Sequence, residues 1–129
     1  MMQDKIRLAV ADDHMQFRRA VVAHLERQGF EILFQAGNGA QLIAQLEYAV
    51  ALPHACLLDI HMPVMDGVAC IEAIRNRWPA IIPVALSIDD AAETAQRAMA
   101  AGAAAFFVKG GDPVILKAAI ESLVQKRDA

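Results

Sequence analysis

His54-Ala55-Cys56-Leu57-Leu58-Asp59-Ile60-His61-Met62-Pro63-Val64-Met65-Asp66-Gly67 runs from a short apolar stretch through an acid into a proline-bearing turn. Five nearly apolar positions in succession suit a strand covered on both faces, where neither side of the pleat meets water. From about residue 65 to 77 the period changes. Val68, Ile71 and Ile74 recur at helical spacing, and the pattern stops before Pro79. Strand, turn and helix make half of a β-α-β unit, and the next apolar run, Ile81–Leu86, completes it.

The same unit repeats in both directions. Apolar runs at Ile6–Ala11, Glu31–Ala36 and Ala104–Val108 complete five predicted strands. The first helix, about 15–28, carries Phe17, Val21 and Leu25 on one stripe and stops at Gly29. The second opens with Asn38 and Gln41, which resembles a capping box, and repeats Leu42, Ile43, Leu46 and Val50. The fourth, about 90–101, is alanine-rich and ends at Gly102. The fifth starts at Asp112-Pro113, an N-cap followed by proline at the first helical position, and its stripe is Leu116, Ile120, Leu123 and Val124. Strict alternation of strand and helix implies an α/β fold: a doubly wound, five-stranded parallel sheet flanked by five helices. The chain is expected to form one domain over residues 1–129, without an internal linker or repeat.

Bulk properties exclude several classes. Hydrophobic residues make up 57%, but 26 of the 129 are alanine, which carries little apolar area. The longest nearly apolar run, Ala98 to Val108, falls short of the roughly 18 residues of a membrane span. Asp4, Lys5 and Arg7 precede any apolar run, so no signal peptide is visible and a cytoplasmic setting is expected. A formal net charge of −3 argues against this domain gripping nucleic acid itself. Cys56 and Cys70 lack CxxC spacing and read as buried free thiols; the four histidines lack zinc-site spacing.

The informative polar residues fall at the carboxyl ends of predicted strands, where open α/β sheets place their ligands. Asp12 and Asp13 follow the first strand, Asp59 the third, Ser87 the fourth and Lys109 the fifth. Strand two ends in Gly37-Asn38, without a charge. The order 2-1-3-4-5, common among doubly wound sheets, sets that strand at an edge and gathers the other four around one crevice. Carboxylates a few ångströms apart repel by roughly 1 kcal/mol in water and about 4 at an effective dielectric of 20. A dication relieves this, and oxygen donors suit Mg²⁺. A lysine and a hydroxyl facing such acids are the parts needed to hold a transferring phosphoryl group, and a carboxylate nucleophile would form an acyl phosphate.

Over essentially its full length the chain resembles the receiver domains of bacterial two-component response regulators. The match lies in Ala11-Asp12-Asp13-His14, in Leu57 to Gly67 with its D-x-x-M-P-x-M-D-G run, in Leu86-Ser87, and in Ala101-Gly102-Ala103 leading to Phe106-Phe107-Val108-Lys109. The resemblance implies that Asp59 is the phosphoacceptor. It implies that Asp13, Asp59 and the His61 backbone carbonyl bind Mg²⁺, with Asp12 helping through water. Lys109 would contact phosphoryl oxygens, Ser87 would hydrogen-bond them, and Phe106 would occupy the aromatic switch position. The implied donor is a sensor histidine kinase or phosphotransfer protein docking near the first helix. The implied output surface, for an attached domain, a partner or a homodimer, is the fourth helix, fifth strand and fifth helix. The Ala-Asp-Asp-His start and Gly-Gly-Asp-Pro stretch resemble regulators that carry a C-terminal helix-turn-helix, so a transcriptional output is expected.

Two features of the sequence set it apart. Gly110-Gly111 follows Lys109 where many receivers have proline, and His61 and Asp89 occupy positions that tune phosphoryl lifetime in the family. Taken singly, Asp13 and Ser87 also read as helix caps, Asp59 as a turn residue, Lys109 as a surface lysine and Phe106 as a core aromatic. Two other functions compete. A haloacid-dehalogenase-type phosphatase would need D-x-D-G at the first strand, where this chain has Asp12-Asp13-His14. A receiver-like interaction module without phosphorylation would not need all five key residues.

Overall fold

The computed structural model describes residues 5–128, the side chain of Asp128 excepted. Ten elements alternate: β1 Arg7–Ala11, α1 Met15–Arg27, β2 Glu31–Ala36, α2 Gly39–Glu47, β3 Ala55–Asp59, α3 Gly67–Arg77, β4 Ile82–Ser87, α4 Ala92–Ala101, β5 Ala105–Val108 and α5 Pro113–Asp128. All four strand pairings are parallel, in the order β2-β1-β3-β4-β5. This is the flavodoxin-like arrangement that the alternation implies.

The apolar runs are buried on both faces of the sheet. Leu8, Val10, Leu57, Val84 and Leu86 pack with Leu25 of α1 and Ile120 of α5 on one side. Ala9, Ala11, Cys56, Leu58 and Ala85 pack with α2, α3 and Ala98 of α4 on the other. Central strands β3 and β4 are buried throughout, whereas the edge strands β2 and β5 are only partly covered, and Val108 is exposed. Cys56 and Cys70 are buried free thiols on the α2–α3 side. Burial pushes both above the ordinary thiol value, Cys70 to about 12, so neither is a reactive thiolate.

Several boundaries differ from the sequence reading, each for a local reason. Helix α3 starts at Gly67 rather than near 65, because Asp66 is its N-cap and Asp66 Oδ1 accepts from Ala69 N–H at 2.9 Å. Helix α4 starts at Ala92 rather than 90, because Asp89 Oδ1 holds Ala91 N–H at 2.7 Å and keeps the preceding turn non-helical. Val50 lies beyond α2 and is fully exposed, so it is not part of that stripe. The capping pair of α2 is modified: Asn38 Oδ1 accepts from Gln41 N–H, but the Gln41 side chain reaches back to Gly37 N–H at 2.8 Å. The cap of α1 is His14, whose Nδ1 accepts from Phe17 N–H, which frees Asp13 from that duty.

One glycine controls the approach of α3 to the sheet. Gly67 donates its N–H to Ile60 O at 2.9 Å. A Cβ there would lie 2.6 Å from Ile60 Cα and closer still to the Asp59 carbonyl oxygen. The site-bearing end of β3 therefore rests on backbone that only glycine allows. Gly67→Ala is expected to lower the urea midpoint by the equivalent of about 2 kcal/mol. Gly37→Ala, whose Cβ meets nothing closer than 3.4 Å, should stay within about 0.5 kcal/mol. Equal midpoints for the two variants would refute the close-approach account.

Candidate functional site

Register brings the polar residues together. Ala11 pairs with Leu58, so the next residues, Asp12 and Asp59, leave neighbouring strands side by side. Asp59 pairs with Leu86, and Ser87 pairs with Val108, which sets Ser87 and Lys109 at the same end of the sheet. Backbone bonds continue this lateral order past the strands. Asp12 N–H donates to Ala36 O at 3.0 Å, Ile60 N–H to Leu86 O at 3.0 Å, and Lys109 N–H to Ser87 O at 2.7 Å.

The side chains then converge. Lys109 Nζ lies 2.6 Å from Asp12 Oδ2 and 3.3 Å from Asp59 Oδ2, with its side chain only 8% exposed. Asp12 and Asp59 are buried and Asp13 is exposed, and each offers a carboxylate oxygen within 4.8 Å of the others. Asp13 and Asp59 line a cavity of about 440 Å³ with His14, Phe17, His61 and Lys109. Asp12 Oδ1 accepts from His14 N–H at 2.8 Å, whereas Asp12 Oδ2 is fully buried and faces Lys109 with no well-aligned hydrogen bond. Asp59 Oδ1 accepts from His61 N–H at 3.2 Å. Burial pushes the Asp59 carboxyl above its ordinary value; the Lys109 ammonium opposes this and the Asp12 charge adds to it.

Three carboxylates against the Lys109 ammonium leave a formal excess of negative charge at this end of the sheet. A hard dication with oxygen donors fits that balance, and the three carboxylates offer oxygens close enough to share one.

Ser87 is buried, and its Oγ accepts from Asp89 N–H at 3.0 Å, so it orders the β4–α4 loop rather than capping α4. Phe106 is half-buried against the α2–α3–α4 core, while its neighbour Phe107 turns to the opposite side. Three further residues support the site; the sequence reading gave Phe17 and Arg18 no part in it, and Asp89 one only through the family resemblance. Phe17 lies under Lys109, with Nζ 4.6 Å from the ring centroid. Arg18 donates Nη1–H to Asp12 O at 2.6 Å. Asp89, beyond its bond to Ala91, accepts from the Thr94 hydroxyl at 3.0 Å, and these bonds hold its carboxyl below the ordinary value. Phe17 and Arg18 stand one helical turn past Asp13, a spacing that aims them back at the loop, but Phe17 equally fitted the core stripe.

Comparison with known proteins places this geometry in a family. The model for the response regulator receiver domain matches residues 8–121. "Probable transcriptional regulatory protein NarL" of Mycobacterium tuberculosis is 33% identical over 127 residues, covering 97% of this chain and 57% of that protein. A protein-glutamate methylesterase/protein-glutamine glutaminase of Alkalilimnicola ehrlichii is 36% identical over 108 residues, covering 81% of this chain and 27% of that one. The solved signal receiver domain of the response regulator NarL from M. tuberculosis superposes with a TM-score of 0.86 at 29% identity, covering 95% of this chain and 98% of that one. The chain thus spans between 27% and 57% of the length of these two relatives.

The raised Asp59 value has a consequence for stability. The folded protein holds that proton more tightly than the unfolded chain, so the contribution is favourable below the unfolded carboxylate range. It is lost as pH rises through the folded value. In metal-free buffer at neutral pH, Asp59→Asn removes a buried carboxyl whose ionised form is disfavoured, while Lys109 keeps its closer partner, Asp12. The variant should melt about 3–5 °C above wild type, the shift roughly 1 kcal/mol gives a domain of this size. A melting point at or below wild type would contradict this reading.

Proposed function

The chain belongs to the response regulator receiver domain family, and from that premise we propose that it takes a phosphoryl group on Asp59 and passes the change to an output partner. The observation that carries the assignment is the Lys109 ammonium, shared at 2.6 and 3.3 Å between Asp12 and Asp59 with Asp13 alongside. Asp59 is the nucleophile. One of its oxygens attacks the phosphorus of a phosphohistidine on a sensor kinase or phosphotransfer protein. The P–O bond forms as the P–N bond breaks, and the leaving imidazole takes up a proton.

The residues divide the work. Lys109 offsets charge on the nucleophile before transfer and on the phosphoryl oxygens after it. Asp13, Asp59 and the His61 backbone carbonyl would hold a Mg²⁺ ion, with Asp12 assisting; bound there, it would neutralise the acids and the phosphoryl charge. Ser87 Oγ, which accepts from Asp89 N–H, has its own O–H to donate to the new phosphate. That contact draws the β4–α4 loop inward, and Phe106 on β5 follows as the switch. Moving a 1:99 equilibrium to 99:1 takes about 5.5 kcal/mol of differential contact, so the Ser87 and Lys109 bonds made only to phosphate must carry much of it.

The domain signals rather than turning over an external substrate. Output runs through the face of α4, β5 and α5, to an attached domain or a second copy. A transcriptional output is favoured by the Ala-Asp-Asp-His start and the Gly-Gly-Asp-Pro stretch, and by the fit of the solved NarL receiver domain at a TM-score of 0.86. The domain itself takes no nucleic acid, in keeping with its net charge of −3. A cytoplasmic setting fits the buried thiols and the partner class. Among the described residues no helix is long and apolar enough to cross a membrane.

Incubation with acetyl phosphate and Mg²⁺ should add the mass of one phosphoryl group to the wild-type protein. The gain should vanish with a chelator and in Asp59→Asn. An unlabelled wild type, or equal labelling of the variant, would overturn the assignment.

A further inference from the structure

The lysine at the centre of this site needs more than two acids to hold it in place. Its ammonium is a point charge on a flexible four-carbon stem, with no planar fork to fix its direction. Asp12 and Asp59 attract it, but Asp12 alone, at 2.6 Å, is the closer partner and draws it away from Asp59. We propose that Phe17 is a positioning residue for Lys109, its ring face holding the ammonium in line between the acids and the incoming phosphoryl oxygens. This inference rests on the phosphoacceptor assignment and deepens it.

Several observations support it together. The ammonium sits 4.6 Å from the Phe17 ring centroid, inside the range where the negative face of an aromatic ring attracts a cation. The contact is sheltered, since the Lys109 side chain is 8% exposed, and poor hydration strengthens an electrostatic attraction of this kind. The ring is itself well anchored. Phe17 N–H donates to the His14 cap at 3.2 Å, and the next residue, Arg18, grips the Asp12 carbonyl at 2.6 Å. Phe17 is therefore tied to the same loop that presents the acids. It also forms the wall between the acidic cavity and an apolar groove of about 380 Å³ between α1 and α5. A core role alone would bury the ring away from the ammonium.

Three versions of position 17 separate electrostatics from packing: phenylalanine, Phe17→Leu, and an isosteric trifluorophenylalanine whose ring face is no longer negative. Acetyl phosphate labelling of Asp59 with Mg²⁺ should slow by about 3- to 30-fold in the leucine and the fluorinated proteins. Their melting points should stay close to wild type. In the wild type, the Lys109 methylene protons next to Nζ should show an upfield ring-current shift that Phe17→Leu abolishes. A fluorinated protein labelled at the wild-type rate, or a wild-type Lys109 without that shift, would overturn the positioning role. Failure of the wild type to label at all would instead sink the phosphoacceptor assignment itself.

Discussion

A single ammonium, that of Lys109, stands between two buried carboxylates, and the chemistry of the molecule follows from that arrangement. Burying either acid alone would cost several kcal/mol, which the lysine offsets only in part. With Asp13 added, the site carries a formal excess of negative charge. Such a pocket is stable enough to fold yet poised for a dication and a phosphoryl group.

The scaffold enforces this convergence without long-range devices. Each strand end is tied to its neighbour by one backbone bond: Asp12 to Ala36, Ile60 to Leu86, and Lys109 to Ser87. Behind β3, Gly67 lets α3 close on the Asp59 backbone. The β4–α4 loop is the looser side. Its order comes from Ser87 and Asp89 rather than from a side-chain cap on α4, and Ile88 at its tip is exposed. A ligand that recruits the Ser87 hydroxyl acts on the least constrained wall of the site.

Much of this was legible before any coordinates. Uniform apolar runs such as Leu57-Leu58 announce a doubly covered strand, and the clustering of acids, serine and lysine at strand ends announces the crevice. The fold class, strand order and the meeting of Asp12, Asp13, Asp59 and Lys109 agree with that reading. The start of α3 was less legible because Asp66 and Gly67 both suit a helix start, and only the cap bond to Ala69 decides between them. Val50 continued a helical period after the helix had ended. Phe17 hid in plain sight: an aromatic on an amphipathic stripe looks the same whether its face meets a leucine or an ammonium. The division of labour between Asp12, deep and lysine-paired, and Asp13, exposed, depends on which way each side chain leaves β1, which no periodicity records.

Paramagnetic broadening by Mn²⁺ examines the convergence most directly. At substoichiometric metal, amide signals of Asp13, Ile60, His61 and Lys109 should broaden first and together. Those of Leu52, His54 and Ala80, at the other end of the sheet, should stay sharp. Broadening spread evenly over the surface, or centred on other acids such as Glu72 or Glu121, would mean that the strand ends do not share one ion.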